Sequence, residues 1–355
     1  MSSKQPIKQS NIQCQFDSGF AEWVSQCNGS ICATSNQANK VLMIGWTGDQ
    51  LSLLMRNYDK PMGLDYSNGR LAISTSSNVV IHSNDSLLAP HYEQKNKYDA
   101  LYTPKASWHT GDLNIHDIAF GEKGLWFVNT KFNCLAQVSV TYTFIPRWQP
   151  FFIDEINKED CCHINGLAMS EGKPKYVTCL GNASTSQGWR DLKENSGIVM
   201  DVQHNTIILE GLTMPHSPRV YRKQLYVLNS GEGELLRIDP ETNIRKSICT
   251  LPGYLRGLAF SGDHALVGLS KIRESGQFRN MPIQACHSKL ICGIAIVNII
   301  TGEQCGLFEF DSGCEELFDI RFLAQTQRPM ILSNDNPETA QLVTTPENAY
   351  WMKPD

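Results

Sequence analysis

Apolar and polar positions along this chain fall into short alternating runs separated by turn-forming residues, a pattern that predicts strands rather than helices. One arrangement recurs: a β-type run, a tight turn, then a second β-type run. Its copies are MGLDYSNGRLAIST from Met62, HDIAFGEKGLWFVNT from His116, NGLAMSEGKPKYVTCLG from Asn165, HSPRVYRKQLYVLNS from His216 and RGLAFSGDHALVGLS from Arg256. A sixth, FDIRFLAQTQRPMILSN from Phe318, has the first strand and then a proline-containing turn before its second apolar run. The starts are 40 to 62 residues apart, and further alternating segments lie between them, such as residues 233–239 followed by the turn-forming PETN. Four strands in each such interval is the signature of a propeller blade.

Six copies predict an all-β chain folded as a six-bladed β-propeller with four-stranded blades. The sixth copy lies too near the C-terminus to complete a blade, while residues 30–58 supply three strand-like runs with no first-strand motif before them. These deficits are complementary, so the N- and C-terminal strands are expected to share one blade and close the ring. The reading is of a single domain over residues 1–355, with 1–25 as an N-terminal extension and 335–355 as a C-terminal tail.

Composition narrows the functional classes. With 31 basic and 36 acidic side chains the formal charge is −5, and no block of like charges appears. Nucleic acid is therefore not an expected partner, because phosphate neutralisation needs a basic face. No apolar run has the length of a signal peptide at the start or of a membrane span later, so the expectation is a cytoplasmic protein with no membrane partner. The 12 cysteines include no CxxC pair and are expected to be mostly reduced, buried small hydrophobes. A chain this long needs neither disulfides nor a structural metal to hold a fold, so a bound metal would point to function.

The first strand of each blade lines the central channel, so equivalent repeat positions converge on one axis. The residues at the start of the six copies are Met62, His116, Asn165, His216, Arg256 and Phe318, and His163 lies two before Asn165. Three of the 9 histidines therefore fall at repeat starts. Imidazoles gathered from different blades suit a divalent metal, and His116, His163 and His216 with Asn165 are the candidate ligands for zinc, iron or copper. Cys161 and Cys162 adjoin His163, but strand alternation allows at most one of Cys162 and His163 to face the axis. Asp117, beside His116, and Asp319, at the same position of the sixth copy, are candidates to orient an imidazole or act as a base; the competing role for each is to bind main-chain amides. Arg256 in the ring, with Arg190 and Arg273 in loops, offers cationic groups for an anionic substrate. His82, His91, His109, His204, His264 and His287 read as solvated or structural.

The motifs NIHDIAFGEKGLWFVNT, CHINGLAM, MPHSPR and GLSKIRES, in this order along the chain, resemble an uncharacterised bacterial family of unknown function whose members are regarded as six-bladed propellers. Pro215-His216-Ser217 and Ile115-His116-Asp117 resemble the first-strand histidine motifs of the peptidyl-hydroxyglycine amidating lyases, which implies a catalytic zinc in the central cavity. Asn165-Gly166-Leu167-Ala168 is similar to the asparagine motif of the gluconolactonase and senescence-marker-protein family, which implies a central divalent metal assisting lactone hydrolysis. This chain departs from that family in carrying His216 where a metal-binding aspartate is expected.

The combined expectation is a metal-dependent enzyme of lyase or hydrolase type, acting on a small polar, anionic or peptide substrate in the channel. In this scheme Arg256 anchors the substrate, and Asp319 or Asp117 serves as orienter or base. The alternative is a non-catalytic propeller that binds a protein or peptide on one face, with Trp108, Trp148 and Trp189 as contact candidates. Oligomeric state is not readable from the sequence.

Overall fold

The structure, a computed structural model, describes residues 12–192, 194–271 and 281–352. Six sheets, each built on four antiparallel strands, stand round a central channel. Blade 2 is Leu64–Ser67, Arg70–Ser74, Asn78–Asn84 and Ala100–His109, and blade 3 is Ile115–Gly121, Gly124–Asn129, Cys134–Gln137 and Ile145–Trp148. Blade 4 comprises Ile164–Ser170, Lys173–Cys179, Gly197–Asp201 and Thr206–Leu212. Blade 5 comprises Pro215–Tyr221, Gln224–Asn229, Glu234–Ile238 and Arg245–Thr250. Blade 6 is Tyr254–Ser261, His264–Ser270, Gly293–Asn298 and Gln304–Ser312. In every case the repeat copy forms the first two strands, and the innermost strands contact one another in sequence round the ring.

Blade 1 closes the circle. Its outer three strands, Gly29–Ser35, Lys40–Trp46 and Leu51–Asn57, come from the N-terminal part of the chain, and its inner strand is Asp319–Ala324, paired from Thr34↔Asp319 to Gly29↔Ala324. The shared blade is therefore as expected, with one correction. The second apolar run of the sixth copy does not return alongside its first strand, because Gly29–Ser35 already occupies that edge. Instead Pro329–Ile331 pairs in parallel with Ala100–Tyr102 at the outer edge of blade 2.

The N-terminal extension also has a place in the sheet system. Gln13–Phe16 adds a fifth strand to the outer edge of blade 6. The helix Ser18–Gln26 follows, with Asp17 accepting from the Phe20 amide at 2.8 Å as its N-cap. It buries Phe20 and Val24 with Phe308 and Phe310. In the C-terminal tail Leu342–Thr344 and Ala349–Trp351 form a hairpin. The core lies between facing blades; Val41 and Met43 of blade 1, for example, meet Leu64, Leu71 and Ile73 of blade 2. Among the described residues no helix is long and apolar enough to cross a membrane.

Near the axis the six inner strands follow an alternating rule. The residue after each repeat start is Gly63, Gly166 and Gly257 in blades 2, 4 and 6, but Asp117, Ser217 and Asp319 in blades 3, 5 and 1. Each of the three oxygen-bearing side chains accepts a main-chain amide of the next blade: Asp117 Oδ2 from Leu167 at 2.9 Å, Ser217 Oγ from Gly257 at 3.0 Å and Asp319 Oδ2 from Leu64 at 3.1 Å. At the other three junctions the neighbouring chain approaches too closely for a side chain. A Cβ on Gly63 would lie 2.9 Å from Asp117 Cα, one on Gly166 2.3 Å from Pro218 Cδ, and one on Gly257 2.7 Å from the Ile320 nitrogen.

Candidate functional site at the channel mouth

The inner strands are irregular where the repeat-start residues sit. Pairing with the second strand slips between Ile115 and Ile118, Ile164 and Gly166, His216 and Arg219, and Leu255 and Leu258. Such bulges re-aim side chains, so neighbours in sequence no longer alternate strictly between faces. Left-handed backbone at residues other than glycine, found at turns throughout the ring, also occurs in this region: Asn114, Asp160, His163, Gln187, Met214 and Ser217 have φ between 46° and 55°. That conformation is costly for a side-chain-bearing residue and concentrates at functional sites.

These distortions bring together a continuous stack. The Arg190 guanidinium lies 4.5 Å from the Trp189 ring, and Trp189 is tilted against His163 with centroids 4.2 Å apart. His163 meets His116 edge-on at 4.8 Å, His116 packs on Phe318 at 5.3 Å, and the Arg256 guanidinium covers Phe318 at 5.3 Å. Blades 4, 3, 1 and 6 thus each contribute to one row of rings with an arginine at either end. Arg256 is also paired with Glu316 at 2.8 Å.

Hydrogen bonds assign the tautomer of each ring. His116 Nδ1 is 3.0 Å from the Asn114 carbonyl and 2.9 Å from Thr130 Oγ1, whose own proton is given to the Ile164 carbonyl at 2.8 Å. Both neighbours can only accept, so Nδ1 carries the hydrogen and Nε2 the lone pair. His163 Nδ1 faces the Asp160 carboxylate at 2.9 Å, and Trp189 Nε1 donates to that carboxylate at 3.2 Å. Asn165 is fixed from both ends: its Oδ1 accepts from Thr178 Oγ1 at 2.7 Å and its Nδ2 donates to the Pro215 carbonyl at 3.0 Å. The same Nδ2 lies 3.5 Å from His216 Nε2, which must therefore be the accepting nitrogen. Burial, then the nearby His163 and Arg256, hold His116 well below the ordinary imidazole range. Burial, followed by Arg256, His116 and His163, does the same for His216. Both rings are therefore neutral at pH 7.

The two aspartates have other partners. Asp117 Oδ2 accepts from Arg219 Nη1 at 2.8 Å, and Asp319 Oδ1 from Arg321 Nη1 at 2.7 Å and Arg219 Nη2 at 3.2 Å. Arg321 Nε reaches Asp65 at 3.0 Å, and its Nη2 reaches Asp117 at 3.5 Å. Three carboxylates and two guanidiniums, Asp117 and Asp319 buried and the others partly so, form one network across the channel. Burial pushes Asp319 above the usual carboxylate range against the pull of Arg321 and Arg219. Burial opposes the charge on Arg321, but Asp319, Asp65 and Asp117 outweigh it and hold that guanidinium above its ordinary value.

Of the residues singled out in the sequence, His116, His163, His216, Asn165, Arg256 and Arg190 meet at the mouth, whereas Asp117 and Asp319 belong to the arginine network. Arg273 lies outside the described residues. Among the described residues no group of three His, Cys, Asp or Glu side chains stands close enough to hold a metal ion as arranged. Sequence reasoning passed over Asp160, Thr130, Arg219, Arg321 and Asp65. Arg219, Arg321 and Asp65 all lie three residues beyond a repeat start, on the same face as Asp117 and Asp319 by strand period, and that signal was present in the repeat alignment.

Residues 18–332 match the family described as a domain of unknown function (DUF4915), and the chain belongs to it. No curated protein matches. Among solved structures, a chain in "Crystal structure of Nidogen/Laminin Complex" is similar with a TM-score of 0.51 at 10% identity, over 84% of this chain and 98% of that one. A further match is the Neurospora crassa Pan2 WD40 domain, with a TM-score of 0.38 at 11% identity over 69% of this chain and 64% of that one. The first likeness is one of fold alone, and it agrees with the propeller architecture.

Proposed function

We propose that the channel mouth binds and transforms a small polar or anionic molecule, with a divalent transition metal as its cofactor. The observation that carries this reading is the anchoring of His116 and His163 through Nδ1 to oxygen acceptors, which leaves Nε2 as the nitrogen available to an ion; metal-binding histidines are oriented in this way. Two imidazoles sharing a tetrahedral ion through Nε2 have centroids about 5 Å apart when each metal–nitrogen bond is about 2.0–2.1 Å, and His116 and His163 are 4.8 Å apart. His116 and His163 would hold the ion, and His216 would complete the set by leaving its 3.5 Å contact with Asn165. Asn165, occupied at both ends, is read as the group that positions His216. Zinc, iron and copper all suit imidazole, and such an ion supplies Lewis acidity to lyase or hydrolase chemistry.

The remaining residues have definable tasks in this reading. Arg256 draws the anionic group of the substrate towards the inner end of the ring stack. Trp189 and Phe318 cover ring faces and keep water from the two imidazoles. Arg190 closes the outer face of Trp189. Asp117 and Asp319 act as braces of the channel wall rather than as a base. A second reading, a non-catalytic scaffold for a protein or peptide, is favoured by exposed apolar side chains at and near the outer edge of blade 3, where Val140 is 96%, Tyr142 69% and Phe151 58% exposed.

Elemental analysis and calorimetric titration with Zn²⁺, Fe²⁺ or Cu²⁺ test the proposal on the parent and a His116→Ala/His216→Ala variant, with circular dichroism verifying both folds. Near-stoichiometric binding by the parent and its loss in the variant is the expected result. A folded parent that takes up none of the three ions overturns the metal reading and leaves the scaffold.

A further inference from the structure

All 12 cysteines carry free thiols, and two of them meet beside the Arg256 end of the mouth. Cys292 immediately precedes the third strand of blade 6, and Cys314 follows the fourth, in the connection that leads to Phe318 and the inner strand of blade 1. Their Sγ atoms are 4.0 Å apart, and both residues are buried. The Phe310 amide donates to the Cys292 carbonyl at 2.8 Å, which ties the start of one strand to the end of the other. Cys314 Sγ lies 3.4 Å from Ser35 Oγ and 3.6 Å from the Glu316 carbonyl.

We infer that Cys292 and Cys314 are a redox-active dithiol that a hydroperoxide converts to a disulfide, and that closing it resets the Arg256 end of the site. Two further features support the assignment. The hydrogen bond from Cys292 is the largest influence on Cys314 and, against burial and with help from Ser35, holds that thiol below its ordinary range, in keeping with Cys314 as the attacking sulfur. Burial pushes Cys292 up, so it remains a thiol until the second step. Cys162 and Cys179 also interact, and there the hydrogen bond from Cys179 and burial push Cys162 up.

The chemistry balances with hydrogen peroxide as the oxidant. The Cys314 thiolate attacks one peroxide oxygen, the O–O bond breaks, and hydroxide leaves and takes up the proton lost by Cys314, giving a sulfenic acid and one water. Cys292 sulfur then attacks Cys314 sulfur; the S–S bond forms, the S–O bond breaks, and a second water leaves with the Cys292 proton. Two electrons pass from the thiols to the peroxide. A disulfide is about 2.05 Å long, so the sulfurs close by about 2 Å. Cys314 leads directly into the segment that carries Glu316, paired with Arg256, and Phe318, packed on His116, so a backbone shift at Cys314 is passed to both.

The test uses full-length, chelator-treated protein, so its outcome does not depend on whether the mouth holds an ion. Protein treated with hydrogen peroxide is alkylated and digested, and its histidine side chains are followed by ¹H–¹⁵N correlation spectra, with His116→Ala identifying the His116 signals. Expected are a Cys292–Cys314 linked peptide lighter by two hydrogens than the reduced pair, its reversal by dithiothreitol, and a shift of the His116 signals in parallel. Cys292→Ala and Cys314→Ser should each abolish linkage and shift. Full alkylation of both cysteines after peroxide, or linkage of a different pair, overturns the assignment. Linkage without movement of the His116 signals overturns the coupling to the site.

Discussion

The sharpest quantitative expectation concerns His82, in the third strand of blade 2 and far from the repeat starts. Its side chain is fully buried, with Nε2 3.0 Å from the Tyr58 hydroxyl. Burial lowers its pKa from 6.5 to about 3, while the Leu332 carbonyl works weakly in the opposite direction. A base with a depressed folded-state pKa keeps its full contribution to stability above the unfolded value. Stability is then lost as pH falls from 6.5 towards the folded value, because only the unfolded chain takes up the proton. The slope is about 1.4 kcal/mol per pH unit. Between pH 8 and pH 4.5 the loss from this one group is therefore about 3 kcal/mol, and down to the folded pKa of about 3 it is about 4 kcal/mol. His82→Gln keeps a polar partner for Tyr58 and does not titrate. Urea unfolding of parent and variant across pH 8 to 4.5 isolates the term, because His116 and His216 remain in both proteins and cancel. The variant, less stable at pH 8, should lose about 3 kcal/mol less than the parent on acidification. Parallel pH profiles would refute the reasoning, since they would mean that His82 takes up its proton equally easily in the folded state.

Two further changes probe the axis. Gly257→Ala places a Cβ 2.7 Å from the Ile320 nitrogen at a residue with φ of +81°, and a loss of about 2–4 kcal/mol is expected in denaturant titration from the backbone clash and the left-handed conformation together. Arg321→Met leaves three carboxylates facing the single Arg219 guanidinium, so about 3–5 kcal/mol should be lost at pH 7. Asp319 already stands above the usual range, and removing a cation raises it further; stability is then present below the unfolded pKa and lost as pH rises through the folded one. The deficit of Arg321→Met, followed by urea unfolding, should accordingly shrink between pH 7 and pH 5.

The propeller was readable from sequence because each inner hairpin repeats the same alternation and turn, and because the two chain ends lack complementary parts of a blade. The fate of Pro329–Ile331 was not, since its partner is decided by which sheet edge is vacant once Gly29–Ser35 has taken the edge beside Asp319–Ala324. At the mouth, the repeat-start position identified His116, Asn165, His216 and Arg256 because equivalent positions must converge. It could not supply the contacts of Trp189 and Asp160, which sit in loops whose paths the repeat does not encode. Nor did the repeat position alone separate His116 from Asp117, adjacent residues at the bulge between Ile115 and Ile118 that go one to the ring stack and the other to the arginine network. The arginines that engage Asp117 and Asp319 lay two residues further along the same face, where strand period alone could have found them.

The alternation of glycine and oxygen-bearing side chains round the axis bears on how such a ring can be built or altered. A glycine in blades 2, 4 and 6 leaves room for the following backbone, and an acceptor in blades 1, 3 and 5 takes the next blade's amide. Removing one blade would set two acceptors or two glycines side by side, leaving either crowded backbone or an unanswered amide at the junction. Removing or inserting two adjacent blades preserves every junction type. The unit of exchange in this architecture is therefore the pair, and a shuffled or redesigned ring should tolerate changes in blade number by twos.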